Sequence, residues 1–375
     1  MKGHIITSTE GLNKAVKRIL MSFIEQGVFD AILVPTRAPS GESFVYLLIK
    51  DKKFIESCSP LPPIMPIQGA RALKDLTRLG KTDLRVLCVM RACEIRASIE
   101  LSKLKQINLE NISFISIDCP GAFVTRDYIN NSAELDKSYG EILNVWKADN
   151  LRPSCNTCVS FSCKDLPIDL HIGKIGMKEN EIIVVPLSKK GEEFLSSIQI
   201  ECAQDISEWQ TAIEDMQQRK TENRNKAFLE LKNKVTGIDN LNNFFSNCIN
   251  CHNCMRVCPI CYCRQCFFES TDQVRLEAEN YIIRAENKGG IRFPTEMILF
   301  HLGRMSHMAL SCVGCGACED ACPMDIPVAQ VFKFMANELQ QMFDYVPGEK
   351  IDEPIPILTY KEDELREYED AQGSK

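Results

Sequence analysis

Apolar residues recur at helical spacing over residues 8–26, where Leu12, Val16, Ile19, Leu20 and Phe23 fall on one face. Short β-rich runs follow, and Ala31–Pro35 (AILVP) and Phe44–Ile49 (FVYLLI) predict strands. Residues 84–90, LRVLCVM, form a nearly continuous apolar run, the pattern of a strand covered on both faces. Residues 94–106 predict a helix, and residues 112–117, ISFISI, a second buried strand. Strand, helix and strand in that order imply a βαβ unit with parallel strands. Ile182–Val185 predicts a further strand and residues 190–198 a short helix. The fold class of the first two hundred residues is therefore α/β.

The pattern then changes. Residues 203–246 are polar, charged and free of proline, and predict helices that link two domains as solvated structure. Further on, TDQVRLEAENYIIRAENK and TEMILFHLGRMSHMAL are helical in pattern. Met297, His301, Met305 and Met308 lie along one face, a packing stripe, with His301 and His307 read as core or surface residues rather than ligands. From Asp344 the chain holds three prolines and then KEDELREYEDAQGSK, an extended acidic tail that buries little and either docks on a partner subunit or stays solvated. The expected organisation is an α/β domain at 1–202, a helical linker at 203–245, a cysteine-rich domain at 246–343 and the tail at 344–375.

At 375 residues the chain has room for two or three domains. Its net charge of -7, without a basic stripe, argues against a nucleic-acid partner. No apolar run is long enough to span a membrane. The chain begins MKGHIITSTEGLNKAVKR, with no apolar stretch of a secretory signal. Nineteen cysteines in that setting point to a reducing, cytoplasmic compartment and to metal ligation rather than disulfides.

The cysteines are ordered. CINCHNCMRVCP carries Cys248, Cys251, Cys254 and Cys258; CVGCGACEDACP carries Cys312, Cys315, Cys318 and Cys322. Both keep the spacing C-x2-C-x2-C-x3-C-P of a bacterial-type ferredoxin with two [4Fe–4S] clusters. Three close cysteines wrap three corners of a cubane, and the fourth, before proline, starts a helix and reaches the other cluster. The expected sets are Cys248, Cys251, Cys254 with Cys322, and Cys312, Cys315, Cys318 with Cys258. Zinc fits poorly, since its structural sites use two pairs separated by a longer loop. About fifty residues separate the motifs, so a helical insertion is expected between them. Cys261, Cys263 and Cys266 match no common cluster spacing and are read as structural, and Cys58, Cys88, Cys163 and Cys202 as ordinary thiols.

A third set is less regular. Cys93 follows the run 84–90 and Cys119 follows 112–117, so both lie at C-terminal ends of predicted parallel strands, where α/β sheets build sites. Cys155 and Cys158 form a C-x2-C. Spacing alone leaves two readings open: four ligands meeting above the sheet edge, or scattered buried thiols.

RACEIRASIEL, then DCPGAF, then CNTCVSFSCKDLPIDLHIGKIG resembles the β-subunit family of coenzyme F-420-dependent hydrogenases and formate dehydrogenases. The stretch HLGRMSHMALSCVGCGACEDACPMDIPVAQVFK through DYVPGEKIDEPIP looks like its formate dehydrogenase branch, in which a two-cluster ferredoxin follows the flavin domain. The resemblance implies a third [4Fe–4S] cluster on Cys93, Cys119, Cys155 and Cys158. It also implies an FAD beside the segment Asp169 to Gly176, where Gly173 and Gly176 would let backbone approach a flat ring. It departs at Ala92, where the family has proline, and in residues 1–60, which lack the family's serine/glycine-rich segment. SPLPPIMPIQGARAL is a candidate replacement for flavin contacts.

The function implied is an iron–sulfur flavoprotein subunit passing electrons between a catalytic formate dehydrogenase or hydrogenase subunit, the clusters, FAD and coenzyme F-420. The missing N-terminal segment motivates a rival, an electron conduit without F-420 activity that serves a heterodisulfide-reductase-like or electron-bifurcating complex. A cluster-bearing scaffold is a third reading, against which eight regular ferredoxin ligands argue.

Overall fold

The computed structural model describes residues 2–8, 10–145, 151–263, 266–270, 279, 282–283 and 297–360. Most of the helical pattern at 271–288 and the acidic run 361–375 lie outside the described residues.

Eight strands form one sheet: β1 (Lys2–Thr7), β2 (Ala31–Arg37), β3 (Phe44–Ile49), β4 (Val86–Val89), β5 (Ile112–Ile117), β6 (Leu170–Gly173), β7 (Glu181–Pro186) and β8 (Gln204–Asp205), in the order β3-β2-β4-β5-β6-β7-β1-β8. Its centre, β2-β4-β5-β6, is parallel. Antiparallel strands flank it, β3 on one side and β7, β1 and β8 on the other. The apolar runs explain the centre. Every residue of β4 is buried. Leu87 and Val89 face the core that holds helix α1 (Leu12–Glu25), whereas Val86 and Cys88 face the opposite one. A strand covered on both faces has no polar positions to spare. α1 itself buries Leu12, Val16, Ile19, Leu20 and Phe23, the face its spacing predicts.

Helix α2 (Gly69–Leu76) precedes β4, and α3 (Ala92–Lys103) returns the chain to β5 as the crossover of the predicted βαβ unit. The capping box of α3 fixes its start: Glu94 accepts from the Arg91 backbone N–H at 2.9 Å and from Gly69 N–H at 2.7 Å. The apolar core beside α3 continues without a break into the cysteine-rich region, through Phe228, Phe245, Phe300 and Phe332.

Three strands are absent from the sequence reading, among them the two-residue β8 at the start of the stretch read as helical linker. β1 hides ahead of the α1 pattern, and β6 lies inside the stretch assigned to flavin. The helix Ser207–Val235 is also more than a solvated link. It buries Trp209 and Ile213 against Phe161, Ile175, Ile183 and Val185, because the far edge of the sheet needs an apolar cover.

The described part of the tail docks on its own chain. Tyr345 Oη donates to Glu100 Oε1 at 2.5 Å and Gly348 N–H donates to the same oxygen at 2.8 Å. Arg96 Nε donates to the Pro347 carbonyl at 2.8 Å. Glu100 is fully buried on α3 and pairs with Lys103 at 3.2 Å. Glu100→Ala is therefore expected to release residues 345–348 and to cost about 3 kcal/mol, since it strands a buried lysine and two donors. Thermal denaturation with limited proteolysis checks this; a protected tail in the variant contradicts it.

Candidate iron–sulfur centres

The two motifs fold as repeats of one loop. Cys248, Cys251 and Cys254 sit on a turn with left-handed residues at Asn250 (φ 52°) and His252 (φ 59°), followed by the short helix Asn253–Arg256. Cys312, Cys315 and Cys318 repeat it with Gly314 (φ 65°), Gly316 (φ 76°) and the helix Ala317–Asp320. Glycine meets the conformation without strain in the second loop, and asparagine and histidine, the side chains most tolerant of it, serve in the first. The turn aims backbone donors at sulfur, as in the Asn250 N–H to Cys248 Sγ bond at 3.4 Å.

The structure brings the eight cysteines together in two crossed sets. Cys248, Cys251, Cys254 and Cys322 line one small cavity, and Cys258, Cys312, Cys315 and Cys318 line another. Cys258 lies close enough to Cys312, Cys315 and Cys318 for its charge to raise all three thiols, after burial itself. The expected helix directly after each fourth cysteine does not form. Among the described residues no helix starts directly after Cys258, and after Cys322 the helix Val328–Met342 begins only past Pro327. Cys261, left aside as structural, donates from its thiol to Cys258, which lowers Cys258 and raises Cys261. His301 is 1% exposed, stacks on Phe245 at 3.9 Å and places Nε2 3.5 Å from Cys248 Sγ. Burial, then neighbouring Arg304, pushes His301 down to about 3, so it is neutral. Met297, Met305 and Met308 on the same helix are buried packing.

The third set also converges. Cys93 opens α3, Cys119 follows β5, and Cys155 and Cys158 bracket the end of the helix Pro153–Asn156. Gly121 (φ 130°) makes the approach feasible, since a Cβ there would meet Cys155 Cβ at 2.9 Å. Burial pushes Cys93 up first, followed by the charges of Glu94, Cys315, Cys119 and Cys158. Cys119 is raised by burial as well, against Arg91, and with Cys155 and Cys158 among its neighbours. Cys315 of the ferredoxin sets is thus an electrostatic neighbour of Cys93.

Cations surround this third set, and the sequence reading missed them. Arg91 is 4% exposed and donates to Cys119 Sγ at 3.3 Å, to the Gly121 carbonyl at 2.8 Å and to the Pro62 carbonyl. Lys220 Nζ donates to the Cys155 carbonyl at 3.1 Å. Lys333 Nζ donates to the Ser154 carbonyl at 3.0 Å and to Thr157 Oγ1 at 2.8 Å. Arg152 is buried 3.7 Å from Asp320, and its Nε has no hydrogen-bond partner among the described residues. Burial works against the charge of Arg152, and Cys155 and Asp320 support it. Four buried or half-buried cations around four thiols fit a dianionic [4Fe–4S](Cys)4 unit, which would supply the missing negative charge. A signal was present: Arg91 stands two residues before Cys93, and Arg152 three before Cys155.

The ferredoxin motif is fastened to this set. Asp320 accepts from the Thr125 backbone N–H at 2.9 Å and from Thr125 Oγ1 at 2.5 Å. A Cβ on Gly316 would meet Ser154 Cβ at 2.7 Å.

Asp169, Gly173 and Gly176 do not open on a space for a ring. Asp169 accepts from Ser188 Oγ at 2.9 Å and from the Phe114 N–H at 3.3 Å. A Cβ on Gly173 would lie 2.4 Å from Trp209 Nε1, and one on Gly176 2.4 Å from Ala212 Cβ. The helix Ser207–Val235 fills the face that flavin would need, so these residues do not fit FAD. A cavity of about 790 Å³ lies elsewhere, between Met65–Leu76 and the ferredoxin motifs at Val257, Ala317 and Asp320, with Tyr46, Gln68, Arg71 and Asp75 in its wall.

Residues 244–326 match the family model of the 4Fe-4S dicluster domain, a span that contains all eight ferredoxin cysteines. Over 309 residues the chain is 26% identical to the F420-dependent formate dehydrogenase subunit beta of Methanocaldococcus jannaschii, covering 74% of this chain and 76% of that protein. It is 24% identical over 377 residues to the F420-dependent formate dehydrogenase 1 subunit beta of Methanococcus maripaludis, covering 91% and 92%. A chain of the F420-reducing [NiFe] hydrogenase complex from Methanosarcina barkeri, solved with xenon, matches with a TM-score of 0.46 at 14% identity, covering 64% of this chain and 94% of that one. Among the described residues no helix is long and apolar enough to cross a membrane. The chain is a relative of the F420-dependent formate dehydrogenase beta subunits, and it carries a 4Fe-4S dicluster domain.

Proposed function

We propose that this chain is the iron–sulfur electron-transfer subunit of a cytoplasmic, formate-dehydrogenase-type complex, with three [4Fe–4S] clusters in a row. The observation that carries the reading is the packing of the second ferredoxin loop on the third set, where a Cβ on Gly316 would meet Ser154 Cβ at 2.7 Å and Asp320 accepts from Thr125. When bound, the clusters supply single-electron transfer. The chain's own residues do the rest. The crossed ligand sets hold the two ferredoxin centres side by side. Arg91, Arg152, Lys220 and Lys333 offset the negative charge of the third. Thr125 and Asp320 fix the join between the two parts, which sets the spacing electrons must cross.

The relatives' names support formate as the ultimate electron source and coenzyme F-420 as the two-electron partner. A second reading, a conduit without flavin or F-420 activity that hands electrons to a heterodisulfide-reductase-like or bifurcating partner, gains from one observation: Trp209 and Ala212 occupy the face beyond Gly173 and Gly176. Its domains would be those read from the sequence, with the α/β part at 1–202 and the ferredoxin part at 246–343.

The visible spectrum of the anaerobically purified chain, before and after addition of reduced F-420, separates the two. Bleaching of a flavin band with reoxidation of F-420 establishes the flavin-linked reading. A cluster spectrum that responds to dithionite and not to reduced F-420 establishes the conduit. A colourless chain after anaerobic cluster reconstitution rules out both.

A further inference from the structure

The helix Met297–Met308 belongs to the segment between the two cysteine motifs, and it delivers one charged side chain into the protein. Arg304 is 2% exposed. Its Nη1 donates to Cys254 Sγ at 3.0 Å and its Nη2 to the Cys254 carbonyl at 3.1 Å. Nη2 also lies 3.8 Å from Cys261 Sγ and 3.7 Å from Met308 Sδ, and the guanidinium stacks over Phe332 at 4.8 Å. Nε has no hydrogen-bond partner among the described residues. No carboxylate pairs with Arg304 among them either; the neighbouring charges that favour its charged form are those of Cys254, Cys261, Cys258 and Cys318. An isolated buried guanidinium is costly and cannot shed its proton. The negative charge that justifies it here must come from the thiolates and the group they hold.

The same helix treats the two ferredoxin sets unequally. His301, one turn earlier, sets Nε2 3.5 Å from Cys248 Sγ. Cys248 and Cys254 both belong to the set completed by Cys322, so that set receives a guanidinium and an imidazole. The set completed by Cys258 meets this helix at Met308, whose Sδ lies 4.0 Å from Cys258 Sγ. Arg304 acts on Cys258 and Cys318 through its charge, and among the described residues it makes no hydrogen bond to them. Reducing a cluster adds a negative charge, which a fixed cation and N–H···S hydrogen bonds both favour in a site of low dielectric.

We propose that Arg304, assisted by His301, is a potential-setting residue that makes the cluster on Cys248, Cys251, Cys254 and Cys322 the easier of the two ferredoxin clusters to reduce. Electrons entering the pair come to rest there first. This inference rests on the two-cluster reading above, and adds to it a direction.

The test is an EPR-monitored redox titration of the reconstituted full chain and of Arg304→Gln, with Cys322→Ser used to assign the signal of the affected cluster. In Arg304→Gln the one-electron reduction equilibrium of that cluster is expected to fall about tenfold, which is 59 mV for one electron. The other clusters should shift by less than about half of that in potential. Arg304→Lys keeps the charge and loses the forked donor, so a smaller fall in the same cluster is expected, and it serves if the glutamine variant fails to load. The unaltered chain grown with 15N-arginine provides a check free of substitution: a 15N coupling on that cluster's reduced signal is expected. Loaded variants with unshifted potentials, or a labelled chain with no such coupling, overturn the proposal. A reconstituted wild-type chain without cluster signals overturns the iron–sulfur reading first, and this proposal with it.

Discussion

Cys322→Ser should abolish the cluster of the first motif and spare that of its own. Cys322 lines one cavity with Cys248, Cys251 and Cys254, while the cavity of Cys312, Cys315 and Cys318 is completed by Cys258. A serine hydroxyl is a poor substitute for a thiolate, so about four irons per chain should be lost from one centre. The pairing is read by comparing four variants. Cys248→Ser and Cys322→Ser should remove one and the same EPR signal, and Cys312→Ser and Cys258→Ser the other. If Cys322→Ser instead removes the signal that Cys312→Ser removes, each motif keeps its own four ligands and the crossed arrangement is wrong.

Asp118→Ala should be the most damaging change outside the cysteines. Asp118 is fully buried at the end of β5. It accepts from His171 Nε2 at 2.9 Å, from Trp209 Nε1 at 2.9 Å, and from the Lys174 and Ile175 N–H groups at 2.8 and 3.1 Å. One carboxylate therefore ties β5 to the turn after β6 and to the helix Ser207–Val235, and it neighbours Cys119. Removing it strands the Trp209, Lys174 and Ile175 donors and leaves His171 Nε2 with Ser162 Oγ alone, at a cost of about 3–5 kcal/mol. That is a large part of an ordinary folding free energy and lowers the melting temperature by on the order of 10 °C. The third cluster should be lost with it, because the loop carrying Cys119 loses its anchor. Trp209→Phe, which removes a single donor, should cost only about 1–2 kcal/mol. Equal melting temperatures for Asp118→Ala and the unaltered chain would show that the network does not hold the sheet edge.

Much of this was legible in the sequence, for identifiable reasons. Ferredoxin spacing is rigid because a cubane has fixed corners, so the eight cysteines announce themselves. LRVLCVM and ISFISI read as buried strands because β4 and β5 are covered on both faces. β6 was hidden because LHIG is short and carries a glycine and a histidine, and its burial depends on β5 and β7 rather than on local pattern. The glycines at 173 and 176 illustrate a general ambiguity: close backbone approach calls for glycine, but the sequence does not say whether a ring or a helix approaches. Here Trp209 does, more than thirty residues downstream. Arg304 was invisible for a related reason, since a lone arginine in a helical pattern reads as a solvated face until packing turns it inward.

The central claim is a row of three clusters, and the most direct measurement is the iron and acid-labile sulfide content of the anaerobically reconstituted chain, with spin quantification after reduction. About twelve irons and twelve sulfides per chain, with magnetic interaction among the reduced centres, is the predicted result. About eight irons, unchanged when Cys93 or Cys155 is replaced by serine, would contradict the third cluster and leave an isolated ferredoxin pair.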